Sequence, residues 1–338
     1  MSSASISLAH AILQALTYSD IFDYPLRFDE LHRYIPLRAD ADELSVTLDS
    51  MREQVEYQNE FYFLAGRDEI VDIRKERETR SRKLLPIAIR YGKILGALPF
   101  IRMVALTGSL AVLNLSKNAD FDYMLVASKG RVWTTRAFAL ALNRLARPFG
   151  HTICPNLIVS ESALEWPLHD LYSARELIQM IPISGMDVYQ DVMKVNAWTR
   201  EILPNASNAN EKKDNSRNSP IRAIRVKFFQ TLLESLLHGT LGDKFESWEM
   251  TRKIARFSKQ PGFGEETVFT AEICQGNFHH HRKWTKKIFE TKLSALAADS
   301  PLPLGEGLGV RGSAQAAVPG GDAPVTQSPR TAIGAYEL

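Results

Sequence analysis

Apolar residues recur at helical spacing from the start of the chain. In residues 6–18 (ISLAHAILQALTY), Ile6, Ala9, Ile12, Leu13 and Leu16 share one stripe, which predicts an amphipathic helix. Phe22-Asp23-Tyr24-Pro25-Leu26 breaks it. Asp29 to Tyr34 predicts a short second helix, and Ala41 to Met51 a third with Leu44, Leu48 and Met51 turned inward. Residues 54–66 (QVEYQNEFYFLAG) predict a hairpin turning near Gln58-Asn59-Glu60. Three short helices and a two-stranded wing describe a winged-helix-like module over residues 1–67. The charged run from Asp68 to about Arg90 predicts a basic linker helix within 68–99, which Pro86 should kink or end.

The pattern then changes period. Met103-Val104-Ala105-Leu106 predicts a short buried strand that stops at Thr107-Gly108-Ser109, and Leu110 to Leu115 predicts a helical segment. After a polar turn, Asp120-Phe121-Asp122-Tyr123-Met124-Leu125-Val126 predicts a second strand. Alternate strand positions share a face, so Asp120 and Asp122 project together. Adjacent carboxylates raise each other's pKa unless a cation lies between them, and Mg²⁺ is typically held by one or two carboxylates plus substrate phosphates. Gly108 lets the backbone approach a ligand closely, and the helix start after it offers unpaired amides to phosphate oxygens, with the Ser109 hydroxyl beside them. Residues 131–146 predict an amphipathic helix with Trp133, Phe138 and Leu142 in the core, residues 152–159 a third strand, and residues 163–203 helix broken near Pro182-Gly185.

Gly108-Ser109 followed by Asp120-Phe121-Asp122 between hydrophobic neighbours resembles the signature of the polymerase-beta-like nucleotidyltransferase superfamily. TYSDIFDYPL (17–26), RVWTTR (131–136), DLYSARELIQMIP (170–182) and NAWTREILPN (196–205) resemble a bacterial group in which a winged-helix-like module precedes that domain. The likeness spans roughly residues 8 to 292. It implies a mixed α/β fold (α+β) with a nucleotidyltransferase-type sheet and flanking helices over 100–204; the polar, apolar-poor run at 205–220 itself predicts a linker, and the apolar stripe that follows predicts a helical C-terminal region at 221–297. The likeness also implies Mg²⁺, or Mn²⁺ in its place, held by Asp120 and Asp122 as the catalytic pair. A nucleoside triphosphate would be bound at Gly108 and Ser109, with Arg175 and Lys194 as further nucleotide contacts. Tyr172, Glu176, Gln179 and Trp198 are the other polar or aromatic members of 163–203 able to face a nucleotide. The superfamily's third carboxylate is missing from residues 152–159, where Asn156 is the nearest equivalent by position and Glu161 the fallback. The expected activity is transfer of a nucleoside monophosphate to an acceptor (small molecule, protein or RNA) with release of pyrophosphate. The alternative is a catalytically inactive nucleotide-binding or regulatory protein of the same fold.

Composition narrows this further. With 338 residues the chain exceeds one ordinary domain, and 45% hydrophobic with 24% charged residues match a soluble protein with ample core. A net charge of +2 is too balanced to require nucleic acid or an anionic membrane. Asp40, Asp42, Glu43 and Asp49 give the third helix an acidic face that phosphates repel, so DNA binding is not expected. The arginines of 74–82 leave a polyanionic acceptor such as RNA open, beside the plainer reading of a solvated helix. The N-terminus lacks the features of a signal peptide and the most apolar window, Ile94 to Leu115, is interrupted by Pro99 and Arg102, so a cytoplasmic protein without a membrane span is expected. Cys154 and Cys274 match no metal knuckle, and His279-His280-His281 is expected as helical surface because consecutive residues do not share a helix face. The Gly-, Pro- and Ala-rich tail, 298–338, carries no apolar period and is expected to be disordered.

Overall fold

A computed structural model describes residues 7–117, 120–206, 230–235 and 237–299. The tail from 300 on, most of the 205–220 linker and residues 221–229 of the expected helical C-terminal region lie outside the described residues.

The N-terminal module consists of α1 (Leu8–Asp20), α2 (Phe28–Tyr34), α3 (Ala41–Ser50) and a hairpin of β1 (Val55–Gln58) and β2 (Phe61–Leu64). Local chemistry explains each boundary. Ser7 caps α1 by accepting from the His10 amide, and Asp40 with Glu43 forms a capping box on α3. Gln58 pairs with Phe61, so Asn59 and Glu60 form a two-residue turn; both have positive φ (51° and 70°), the geometry that matches hairpin twist. Ile12, Leu16, Leu44, Leu48 and Met51 meet in one core, as their spacing predicts.

The helix α4 (Glu69–Leu95) runs unbroken through Pro86, where a kink or end was expected. Packing on both sides of the proline explains the difference. Arg74, Glu78 and Ser81 lock the N-terminal half onto the module and the 112–115 loop, while Ala88 and Leu95 bury their side chains against the sheet. It is therefore part of the core and not a linker. Several of its arginines face inward: Arg74 is 1% exposed, pairs with Glu30 at 2.8 Å and lies 3.8 Å from the Tyr24 ring. Arg77 donates to the Phe22 carbonyl and Asp23, and Arg80 to the Leu115 carbonyl. Lys75, Arg82, Lys83, Arg90 and Lys93 of the same helix remain exposed.

A six-stranded sheet in the order β6-β3-β4-β5-β8-β7 forms the centre. β3 (Ile101–Leu106) and β4 (Phe121–Ala127) are antiparallel, and β4 runs parallel to β5 (Ile153–Ser160) through the crossover helix α6 (Val132–Ala146). Between β3 and β4 only Gly108–Ala111 is helical (α5), shorter than the expected 110–115, because Leu113 takes a positive φ of 57° and the chain turns back. The break expected near Pro182 is a strand, β6 (Ile181–Ser184), on the edge beside β3; it separates α7 (Leu171–Gln179) from α8 (Met186–Val195) and the short α9 (Thr199–Ile202). Proline is tolerated there because an edge strand leaves one side unpaired.

The C-terminal region is not wholly helical as expected. β7 (Thr267–Phe269) and β8 (Ile273–Gly276) extend the sheet beyond β5, between α10 (Thr240–Phe257) and α11 (His281–Asp299). Glu246 of α10 caps α6 by accepting from the Trp133 and Thr134 amides at 2.8 and 2.7 Å. Of the histidine run, only His281 is helical; His280 has a positive φ of 51° before the helix start. α11 then crosses to the N-terminal module, where Lys292 pairs with Asp20 and Trp284 and Phe289 pack on Phe22 and Tyr18.

Strand parity divides the core. Val104, Leu106, Phe121, Tyr123 and Leu125 face α4, α6 and α10, whereas Met103, Ala105, Met124 and Val126 face α7 and α8. No helix among the described residues is long and apolar enough to cross a membrane.

Candidate functional site

Asp122 has the parity of Met124 and Val126, so its carboxylate emerges on the face covered by α7 and α8, and Asp120, two residues earlier, projects to the same side. Thr107 ends β3 with the parity of Met103 and Ala105 and donates its amide to the Asp122 carbonyl at 2.9 Å, which fixes the Gly108 turn over the head of β4. Gly108 has φ +64°, and a Cβ there would stand 2.7 Å from Asp122 Oδ2. Only glycine allows the carboxylate to occupy that position against the backbone. The structure thus brings together Gly108, Asp120 and Asp122, with Ser109 opening α5 beside them.

Both carboxyls of the pair are raised above the ordinary carboxylate range. Burial, the neighbouring Asp120 and the field of Glu176 push the Asp122 carboxyl up to about 7, against a lowering hydrogen bond from the Cys154 thiol. Asp120 is raised by burial, with Thr152 and Arg147 opposing. Cys154 is held well above the ordinary thiol range by burial and by both aspartates, so it stands as a thiol donating to Asp122.

The register assigns the missing acid differently from the sequence. Asp122 pairs with Cys154 and Tyr123 with Pro155, but Met124 pairs with Leu157, so Asn156 is the extra residue of a β-bulge and is exposed. The position opposite Asp122 belongs to Cys154, not Asn156. Glu161 lies at the far end of β5, where it accepts from the Lys129 amide, about five strand residues (~16 Å) from the pair.

The two basic residues expected to contact a nucleotide lie elsewhere. Arg175 is 2% exposed, stacks 3.8 Å from the Tyr34 ring and 4.6 Å from Tyr18, and donates to the Ala15 carbonyl and Ser19 Oγ. It docks the N-terminal module. Lys194 is exposed in the last turn of α8, without an ion pair among the described residues. Trp198 stacks 4.4 Å from His169.

The next residue on α7, Glu176, is one of those expected to face a nucleotide, and its charge is felt at Asp122. It acts electrostatically on Asp122 and on Tyr172, and burial raises its carboxyl to about 7. Several buried or partly buried acids elsewhere are matched: Asp20 by Arg67 and Lys292, Glu78 by Arg27 and Arg82, Glu234 by Arg102. Among the described residues Glu176 has neither a cation nor a hydrogen-bond partner. Thr107 is 7% exposed and its hydroxyl is likewise without a partner.

No three His, Cys, Asp or Glu side chains among the described residues are grouped to hold a metal ion by themselves. The donor set instead fits an ion held by two carboxylates whose remaining ligands come from a substrate's oxygens, the usual manner for Mg²⁺. The orphaned Thr107 hydroxyl and the Cβ-free space at Gly108 are consistent with a polar ligand at that turn. No protein-family model, no curated protein and no solved structure matches this chain.

Proposed function

We propose that the protein is a Mg²⁺-dependent nucleotidyltransferase that moves a nucleoside monophosphate from a nucleoside triphosphate to an acceptor and releases pyrophosphate. The carrying observation is the seating of the Asp122 carboxylate against Gly108, with Asp120 on the same face. Two carboxylates of raised pKa, with an arginine (Arg147) acting on Asp120 alone, favour a cation supplied with the substrate. A bound Mg²⁺ would supply charge neutralisation on the triphosphate. Asp120 and Asp122 would hold it, and the Gly108 and Ser109 amides and the Ser109 hydroxyl would orient phosphate oxygens. The α7–α8 layer limits water around the pair.

The test is Mg²⁺-dependent binding of a nucleoside triphosphate to wild type and to the Asp120→Asn/Asp122→Asn double variant. The variant should lose Mg²⁺-dependent binding by 100-fold or more, taking about 3 kcal/mol as the worth of the lost charge contacts. Equal binding in both would sink the reading.

A second reading, a catalytically silent nucleotide-binding regulator, is favoured by one observation: a thiol, not a carboxylate, stands opposite Asp122. It fails if purified protein transfers label from a nucleotide labelled at the α-phosphate to any component of a cell extract.

A further inference from the structure

We infer that the outer face of α4, with the turn 147–150 beside it, is a binding surface for single-stranded RNA. Such binding needs neither nucleotide nor Mg²⁺, so it is tested apart from the transferase reading.

The net charge of +2 conceals a strong separation along the chain. Residues 40–60 carry seven acids and one arginine; residues 79–160 carry twelve lysines and arginines and two acids, which are Asp120 and Asp122. The acidic run forms α3 and the hairpin, and the basic run forms most of α4 and the centre of the sheet. Some of these cations are neutralised from other elements, Arg102 by Glu234 and Arg131 by Asp243. Lys83, Arg90 and Lys93 are not. All three are exposed and form no ion pair among the described residues, and α4 has no acid after Glu78.

The helix sets their geometry. Ala88 and Leu95 point into the core and the Ser81 hydroxyl accepts from the Leu115 amide, so the three cations share the opposite side. Lys83 and Arg90 stand two turns apart, about 10 Å, and Lys93 lies about 5 Å further along and within about a quarter turn. A row of cations at this spacing follows a phosphate backbone whatever its sequence.

A second, independent feature lies against the same helix. Tyr91 Oη is 3.2 Å from His151 Nδ1, and the His151 ring stacks on Phe121 with centroids 5.6 Å apart. These contacts hold the turn 147–150, closed by Gly150 at φ +76°, beside α4. On that turn Phe149 is 74% exposed, with Leu145 one helical turn earlier at 69%. Arg144 next to Leu145 is exposed and has no ion pair among the described residues. Cations that track a backbone beside an aromatic ring that stacks a base are the combination that binds single strands. Thr152 accepts the Phe121 amide at 2.9 Å, so the turn stands at the head of β4, where Asp120 and Asp122 flank Phe121 in the chain. An anionic bilayer would be held by an apolar helix face, and that face of α4 is buried in the core. Duplex DNA offers Phe149 no unpaired base, whereas unpaired bases are the ordinary state of RNA loops and ends.

The full-length protein is titrated against a fluorescein-labelled single-stranded RNA of about 20 nucleotides, without nucleotide or Mg²⁺, at salt from about 50 to 200 mM. With Lys83, Arg90, Lys93 and Arg144 each meeting one phosphate, the logarithm of the affinity should fall with the logarithm of salt at a slope of roughly −3. Lys83→Ala/Arg90→Ala/Lys93→Ala should make that slope shallower by about 2 and weaken binding about 100-fold near 0.1 M salt. Phe149→Ala should weaken it about fivefold or more and leave the slope. Lys244→Ala/Lys259→Ala/Lys287→Ala removes the same charge from exposed positions on other elements and should bind as wild type does. Equal losses in the two triple variants, or no RNA bound by wild type, overturn the surface. An unaffected Phe149→Ala, or equally tight binding of duplex DNA, overturns the single strand. Tighter binding of DNA of the same single-stranded sequence overturns the assignment to RNA, and binding of phosphatidylserine–phosphatidylcholine vesicles in its place assigns the face to a membrane instead.

Discussion

Glu176→Gln should stabilise the protein at neutral and alkaline pH. The folded carboxyl is raised from 4.5 to about 7 by burial. Between those values the folded state holds a proton that the unfolded chain releases, so stability falls as pH rises from about 4.5 through 7 and levels off above. At 1.36 kcal/mol per pH unit of separation, the penalty above pH 7 is roughly 3 kcal/mol. Glutamine is isosteric and neutral, and keeps hydrogen-bonding capacity on a half-buried helix face. The substitution should therefore gain about 2–3 kcal/mol at pH 8 and nothing at pH 4, where wild-type Glu176 is already neutral. Asp122 shares the field, because the Glu176 charge contributes to its own raised pKa; the variant's remaining pH dependence over this range should be shallower for that reason too. Urea denaturation at both pH values reads the difference directly. A variant less stable than wild type at pH 8, or equally altered at pH 4, would refute the idea that this carboxylate is unpartnered.

Three further substitutions probe the frame around it. Gly108→Ala places a Cβ 2.7 Å from Asp122 Oδ2 at φ +64°, and should cost about 1–2 kcal/mol in backbone strain alone and abolish Mg²⁺-dependent nucleotide binding; unchanged binding by calorimetry would count against the turn's role. Arg74→Leu removes the partner of Glu30 and the contact with the Tyr24 ring, and should lower stability by about 3–5 kcal/mol, read by thermal unfolding. Glu246→Gln weakens the charged cap on α6, where the carboxylate accepts from Trp133 N, Thr134 N and Thr134 Oγ1, and should cost about 1–2 kcal/mol in urea denaturation.

The sequence made the periodic parts of this fold legible, and the non-local parts much less so. The stripe of Ile12, Leu13 and Leu16, the inward Leu44 and Leu48, and the alternation that sends Asp120 and Asp122 to one face are local consequences of helix and strand geometry. The errors come from contacts distant in sequence. Pro86 is a helix breaker in isolation, yet sheet packing at Ala88 and Leu95 and ion pairs around Arg74 hold the helix through it. Residues 267–276 contain two strands too short to show a period, and they form because β5 offers them an open edge. Asn156 looked equivalent to a metal ligand because counting along β5 assumed unbroken alternation. The bulge at Pro155-Asn156 shifts the count, so Ile153 and Ile158 point to the same face although five residues apart.

The same bulge bears on how the site is built. It places Cys154, a weak donor, beside Asp122, so β5 contributes no third negative charge, and the next carboxylate in the field of Asp122 comes from α7. Its neighbour Arg175 anchors that helix to Tyr18, Tyr34 and Ser19 of the N-terminal module. One turn of α7 thus carries an acid facing the site and an arginine facing the module, so any displacement of the module moves Glu176 relative to Asp122. The module's third helix carries Asp42, Glu43 and Asp49, whereas its second helix lines a cleft with the segment after α5 and the end of α7. The physical role that follows for the module is to position α7 and to form one wall of that cleft.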